Sequence, residues 1–298
     1  AKLEAVIPAG FSLWAKAAQH WRNILKLASL SFTGRRLFWK NFTAHALTHP
    51  NDEPTRAQFD AILESKRSKN EPVDKGSVIL LGAGPGDPEL LTLKALRLIQ
   101  RLPVLFYPKE EGREPIALGI ARPFLPEGKP LLPLPLFTGG DPKEAERARR
   151  EAARRVREAL SRYGEGGYLV LGDSLLYASP LNLLPHLEGV AVEAVPGISA
   201  HQLAAASLLK PIALGEEGFA AVTGLGPVDP EGLDRFQSVF VYKAKDLEAL
   251  ERAFPDREGW AFLRLGMPGE RVLPLRAAKG VARDYWTLVG LWRKGGEG

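Results

Sequence analysis

Val78 to Ala95, VILLGAGPGDPELLTLKA, is the stretch that most constrains this chain. Val78–Leu81 is a short apolar run of the kind that forms a buried strand. Gly82, Gly84 and Gly86 then allow a tight loop, interrupted by Pro85 and closed by Asp87-Pro88. An apolar helical spacing follows through Leu91, Ala95 and Leu98. Strand, glycine loop and helix in this order build the ligand-binding corner of an α/β protein.

The loop itself excludes two common ligands. It reads Gly-x-Gly-x-Gly-Asp, not the dinucleotide Gly-x-Gly-x-x-Gly. Asp87 would stand at the helix N-terminus, where a pyrophosphate has to sit, and two anions there repel. No Gly-Lys-Ser/Thr follows the glycines, so the phosphate loop of nucleotide hydrolases is absent too.

From Ser77 onward the pattern is regular α/β. Val104–Tyr107 reads as a second strand stopped by Pro108, and Ile116–Ile120 begins a helix ending near Pro123. Leu131–Leu136 is extended, because each residue before a proline is pushed out of the helical region. Asp141 can cap a charged helix running to about Tyr163. Its acids alternate with arginines, the mark of a solvated face. Tyr168–Leu171 is the next strand, followed by a turn at Gly172-Asp173-Ser174 and a helix through Leu175–Leu187. Val190–Val195 then leads into Pro196–Ala200 and a small-residue helix over Ala200–Leu209. This order predicts a mostly parallel sheet over 76–213. A smaller mixed α+β unit is expected over 214–298, after a hinge near 211–217. Its strands are Phe219–Thr223, Val239–Tyr242, Trp260–Arg264 and Tyr285–Trp292, with one helix at Leu247–Phe254.

Residues 1–75 differ in character. No acid lies between Glu4 and Asp52, whereas Lys16, Arg22, Lys26, Arg35, Arg36 and Lys40 are basic. Phe11, Trp14, Ala18, Trp21 and Leu25 recur at helical spacing, giving a basic amphipathic helix. Pro54-Thr55 can open another through Phe59, Ile62 and Leu63, and Lys66–Gly76 reads as a linker. A transit peptide, a docking helix and an added segment all fit this composition; the simplest expectation is an appendage without chemistry.

Composition removes further classes. The chain of 298 residues has no cysteine, so disulfides, thiolate metal sites and cysteine nucleophiles are excluded. That usage fits a reducing, cytoplasmic setting. No apolar run approaches the ~20 residues of a membrane span. The net charge of +5 suits a solvated basic surface or a polyanionic ligand. Ser174 and Ser199 stand outside any Gly-x-Ser-x-Gly elbow. His186 and His201 are isolated, and His20, His45 and His49 have no carboxylate pattern for a metal.

Three loops, Gly82–Pro88, Gly172–Tyr177 and Pro196–Ala200, thus fall at the carboxyl ends of strands, the edge where open parallel sheets bind ligands. Here the chain resembles a known family. Val78–Ala95, Leu171–Tyr177 (LGDSLLY), Val195–Ala200 (VPGISA) and Tyr285–Val289 (YWTLV) match, in order, the motifs of the tetrapyrrole methylases. The likeness runs from Ser77 to about Arg293. Within the family, Val104–Pro108 (VLFYP), Pro133–Pro135, LGDSLLY and Lys243 are most similar to precorrin-2 C(20)-methyltransferases. At the Leu171–Tyr177 block, the longer Gly-Gly-Asp-Pro sequence with an arginine soon after, usual in uroporphyrinogen methyltransferases, is absent, and Ser174 replaces a usual proline.

The resemblance implies two α/β domains, a cofactor cleft between them, and a homodimer. It implies S-adenosylmethionine as methyl donor, held by Pro85, Gly172, Asp173, Leu176, Ser199, Ala200 and Tyr242, and no metal. The substrate would be a polycarboxylate macrocycle, precorrin-2 or cobalt-factor II. Gly84, Gly86, Lys109, Arg113, Lys243, Lys245 and Arg264 are the candidates to contact it, arginine favouring bidentate geometry. The base for the meso proton would be Asp87, then Tyr107 or Glu114; Asp87 is equally a helix cap. Alternatives are methylation at another corrin carbon, or of uroporphyrinogen III, rRNA or a diphthamide precursor. A non-catalytic tetrapyrrole- or nucleic-acid-binding protein, using the basic N-terminal segment, is the rival outside the class. The leading reading expects neither nucleic acid nor membrane as a partner.

Overall fold

A computed structural model describes residues 11–27, 32–64, 76–110, 112–136, 141–278, 280–281 and 285–294. The polar linker up to Lys75 lies outside the described residues, as do the side chains of Phe11 and Leu25.

The first sheet is parallel throughout, in the order β3-β2-β4-β1-β5. Its strands are β1 (Ser77–Gly82), β2 (Leu105–Lys109), β3 (Leu131–Pro135), β4 (Glu165–Val170) and β5 (Ala191–Val195). Alternation along β1 decides the packing, since successive side chains point to opposite faces. Val78 and Leu80 join Phe106, Val156, Leu160 and Tyr168 on one face. Ile79 and Leu81 join Ala95, Ile99, Leu102 and Leu105 on the other. Both faces are covered, as an all-parallel sheet requires.

The helices that cover them are set by their caps. Before α4 (Leu93–Arg101), the Thr92 hydroxyl accepts from the Ala95 N–H at 3.2 Å. Before the long α6 (Pro142–Tyr163), the Asp141 carboxylate accepts from the Lys143 N–H at 2.8 Å. α5 (Ile116–Ala121) lies between them in sequence and on the α4 side of the sheet.

Two expectations fail here for proline reasons. β2 does not stop at Pro108 but runs on to Lys109. β4 pairs only with Leu105 and Phe106, so the missing proline N–H faces no partner strand on that side. Conversely, the helix expected over Leu175–Leu187 is two short 3₁₀ turns, Ser179–Asn182 and Leu184–His186. Pro180 and Pro185 sit inside that span, where each would remove a helical donor and clash with the preceding turn.

The second sheet has the order β6-β7-β10-β8-β9. Its strands are β6 (Phe219–Thr223), β7 (Ser238–Tyr242), β8 (Arg257–Leu263), β9 (Arg271–Pro274) and β10 (Thr287–Arg293). β6 and β7 are parallel and the remaining pairs antiparallel. β9 was not legible in advance: it is a short edge strand ending in proline. On one face Val239, Val241, Ala261 and Val289 pack with Leu247 and Leu250 of α9 (Leu247–Ala253). On the other, Phe240, Phe262, Leu288 and Trp292 pack against Ala204 and Ala205 of α7 (Ala200–Ser207). α8 (Pro230–Leu233) is a single turn capped by Asp229.

Ahead of both sheets, α1 (Phe11–Leu27), α2 (Phe32–Thr48) and α3 (Arg56–Glu64) gather around an aromatic core of Trp14, Trp21, Phe38, Phe42 and Phe59. The Trp14 indole N–H donates to the His49 carbonyl at 3.1 Å. α2 was not anticipated; its apolar residues lack a strong stripe. No helix among the described residues is long and apolar enough to cross a membrane.

Candidate active site

The loops leaving β1, β4 and β5 are stitched to one another through backbone and one carboxylate. Gly84 and Gly172 exchange hydrogen bonds, Gly172 N–H to Gly84 O at 2.7 Å and Gly84 N–H to Gly172 O at 3.3 Å. Gly84 (φ +80°) and Gly172 (φ +73°) both occupy the left-handed region that favours glycine. Asp173 then ties the second loop to the third. Its Oδ1 accepts from the Leu175 N–H at 2.9 Å and its Oδ2 from the Gly197 N–H at 3.0 Å.

These loops form one wall of a cleft, and the second sheet supplies the facing wall. Every parallel strand contributes from its carboxyl end: Pro85 after β1, Glu110 after β2, Leu136 after β3, Asp173 after β4 and Ser199 after β5. From the other side come Tyr242, Lys243, Leu265, Met267 and the segment 285–288. Pro85, Gly172, Asp173, Leu176, Ser199, Ala200 and Tyr242 therefore all line one cleft, together with Glu114, Arg113 and Lys243.

The other sequence candidates lie off its walls. Asp87 caps the 3₁₀ turn Pro88–Leu90, its carboxylate accepting from the Glu89 N–H at 2.9 Å, and is not among the residues lining that cleft. Tyr107 packs against the apolar layer under α4 and α5. Gly84 is spent on its bridge to Gly172, and Gly86 is packed so closely that an added Cβ would lie 2.5 Å from the Gly266 carbonyl oxygen. Lys109 opens onto a neighbouring groove with Arg147 and Arg155. Lys245 is exposed outside the cleft. Arg264 donates from Nε to the Pro268 carbonyl at 2.9 Å. For Asp87 the physical reason is local: a carboxylate one residue before a turn finds the free N–H groups at its start.

Reading the sequence also missed participants. Tyr177, the last residue of LGDSLLY, reaches across the cleft and donates from its hydroxyl to the Ala221 carbonyl in β6 at 2.8 Å. Its φ of +49° is unusual for a bulky residue. Its ring centroid lies 5.3 Å from that of Tyr242. Tyr285 stands between two cations, Arg113 at 5.2 Å and Lys243 at 5.3 Å from its ring centroid. Arg113 also pairs with Glu110 at 2.7 Å. Lys243 has φ +56°, a strained value for a non-glycine residue and of the kind that gathers at functional sites. The signal for Tyr177 and Tyr285 was their place at the ends of two matched blocks.

Burial sets the protonation states. It pushes the Tyr242 hydroxyl up to about 12 and that of Tyr177 upward, so both are neutral phenols near neutral pH. It lowers the pKa of His201, against an opposing pull from Asp173. Among the described residues no cluster of histidines and acids could hold a metal ion.

The family profile described as tetrapyrrole (corrin/porphyrin) methylases matches residues 77–279. Siroheme synthase of Hydrogenovibrio crunogenus is 32% identical over 123 residues, 40% of this chain and 26% of that protein. Siroheme synthase of Actinobacillus pleuropneumoniae serotype 7 is 42% identical over 107 residues, 36% of this chain and 22% of that protein. The chain thus spans about a quarter of the length of these relatives. Among solved structures, uroporphyrin-III C-methyl transferase from Thermus thermophilus, complexed with S-adenosyl homocysteine, superposes with a TM-score of 0.55 at 25% identity. That match covers 73% of this chain and 97% of the other. A putative cobalamin synthesis related protein from Corynebacterium diphtheriae shares the fold, with a TM-score of 0.59 at 19% identity over 73% of this chain and 98% of that one.

Proposed function

The chain belongs to the tetrapyrrole (corrin/porphyrin) methylases, and from that premise we propose that it transfers a methyl group from S-adenosylmethionine to the meso carbon 20 of precorrin-2 or its cobalt counterpart. The observation that carries the reading is the convergence of all five parallel strand ends and the second sheet on one cleft. The same geometry argues for a folded small molecule and against an extended dinucleotide.

The residues present fit the methyl donor. A Cβ added at Gly172 would meet nothing within 4 Å, whereas one at Gly197 would lie 2.3 Å from the Gly172 carbonyl oxygen. Gly172 thus offers an open face at its Cα, free of any side chain, on a rigid support. Pro85, Leu176 and Ala200 supply apolar surface, and Asp173 retains lone pairs for ligand hydroxyls or an amine. When bound, the sulfonium supplies an already activated methyl group. The chain's part is alignment, which in favourable cases is worth ~7–11 kcal/mol of a barrier. Glu114, which shares the cleft wall with Glu110 and Asp173, is the candidate base to take the meso proton once the carbon–carbon bond has formed. Arg113 and Lys243, flanking Tyr285, suit the carboxylates of the macrocycle.

A second reading, methylation of uroporphyrinogen III, is favoured by the siroheme synthase likeness. Calorimetry with S-adenosylhomocysteine tests the class: absence of binding removes it. Labelled methyl donor offered with precorrin-2 and with uroporphyrinogen III, with the product carbon located by NMR, separates the two readings. Label at carbon 20 supports the first; label on a pyrrole carbon of uroporphyrinogen supports the second. The active species is proposed to be a cytoplasmic homodimer, to be checked by sedimentation.

A further inference from the structure

His201 takes no part in the function proposed above, yet it is a buried titratable group beside the cleft. It is 8% exposed, at the first turn of α7. Its ring lies 5.6 Å from Phe219, 5.3 Å from Phe240 and 6.1 Å from Tyr242, measured between centroids. Its Nδ1 is 2.7 Å from the Tyr242 hydroxyl oxygen, and its backbone N–H donates to that same oxygen at 3.3 Å.

A phenol oxygen accepts about two hydrogen bonds and donates one. The His201 backbone N–H takes an accepting position on Tyr242, and a neutral His201 with its proton on Nε2 would take the Tyr242 proton at Nδ1. The Tyr242 hydroxyl is thus engaged inside the protein, while the residue still lines the cleft. What it turns to a ligand is its ring. Tyr177 completes the surface: its hydroxyl is engaged by Ala221, and its ring is tilted 52° to that of Tyr242.

We propose that His201 is a positioning residue of the cleft, which holds Tyr242 so that the cofactor meets an aromatic face and not a hydroxyl. This rests on the reading of the cleft as an S-adenosylmethionine site. Tyr242 belongs to the second sheet, and His201 follows the last strand of the first, so the contact also joins the two walls. Protonating Nδ1 would turn it from acceptor to donor and force the Tyr242 proton into the cleft. The groups facing the imidazole are few: the Asp173 carboxylate from the β4 loop and the neutral Tyr242 hydroxyl. Phe219 from β6 and Phe240 from β7 carry no charge.

The test combines nitrogen-15 NMR of ligand-free protein at pH 7.5 with S-adenosylhomocysteine titrations. The expected spectrum shows Nδ1 of His201 unprotonated and Nε2 protonated; a protonated Nδ1 overturns the proposal. His201→Phe is expected to weaken the ligand by about tenfold, the size of one lost buried hydrogen bond. His201→Asn, whose amide can stand where Nδ1 does, restores affinity to within about threefold of the natural protein. Tyr242→Leu must lose much more affinity than Tyr242→Phe. Equal losses in that pair would mean that the hydroxyl touches the ligand, and full affinity in His201→Phe would mean that the lock is idle; either result refutes the assignment. Should His201→Phe fail to fold, the NMR tautomer and the Tyr242 pair still decide. If the natural protein binds no S-adenosylhomocysteine, the functional reading falls while the tautomer measurement keeps its meaning.

Discussion

Gly197 stands so close to Gly172 that a Cβ added to it would lie 2.3 Å from the Gly172 carbonyl oxygen and 2.8 Å from Gly82. Three loops meet there with only hydrogen between their backbones. Gly197→Ala must therefore displace a strand tip, at a cost of about 1–3 kcal/mol or more. Gly172→Ala meets no atom but keeps a left-handed backbone at φ +73°, costing about 1–2 kcal/mol. Denaturant midpoints are expected to fall further for Gly197→Ala. S-adenosylhomocysteine affinity should be lost in it even where the protein still folds.

Stability should depend on pH through His201. Burial lowers its folded pKa below the ordinary histidine value. Above the unfolded pKa, near 6.5, both states are neutral and the group adds no slope. As pH falls through that value the unfolded chain binds the proton first, so stability is lost on acidification. Melting temperatures measured from pH 7.5 down to 5.5 should decline, and His201→Asn should flatten the decline. An identical slope in the variant would assign the acid sensitivity to another group.

Asp87 is a cap in this fold, and its replacement should behave as one. Asp87→Ala removes the acceptor for the Glu89 N–H, a loss of about 0.5–2 kcal/mol. Asp87→Asn should recover most of it. Methyl transfer per folded molecule is expected to persist in both. A collapse in turnover with unchanged melting would return Asp87 to the catalytic list.

The N-terminal helices carry their own aromatic core, drawn from α1, α2 and α3 alone. Removing residues 1–75 should leave S-adenosylhomocysteine affinity and methyl transfer within about twofold. Loss of tetrapyrrole binding in the truncated protein would favour the binding-protein rival instead.

Much of this architecture was readable because local signals agreed. β1, β6 and α6 fall where apolar runs, turn residues and an N-cap aspartate put them. The failures have particular causes. Pro108 looked like a stop because the sequence does not reveal which side of β2 lacks a partner. Leu175–Leu187 looked helical because its leucines were weighed above Pro180 and Pro185. The cofactor candidates came together because they stand in loops whose positions the strands dictate. The substrate candidates scattered because charge alone says nothing of direction: Lys243 turns to the cleft, whereas Arg264, also at positive φ, turns back to Pro268. His201 was set aside as a lone histidine; its partner Tyr242 is far away in sequence.

The strand order of the first sheet also dictates when the cleft can exist during synthesis. β1 emerges from the ribosome early, but both of its neighbours come late, β4 beginning at Glu165 and β5 at Ala191. Until then the apolar strand that carries the glycine loop has two unsatisfied edges, a hazard for association between nascent chains. Pauses in translation before Glu165 should prolong that exposure, and pauses after Ser207 should be harmless to the first sheet. The topology places the opening strand of this sheet beside its last two, so its edges close only once β4 and β5 have been made.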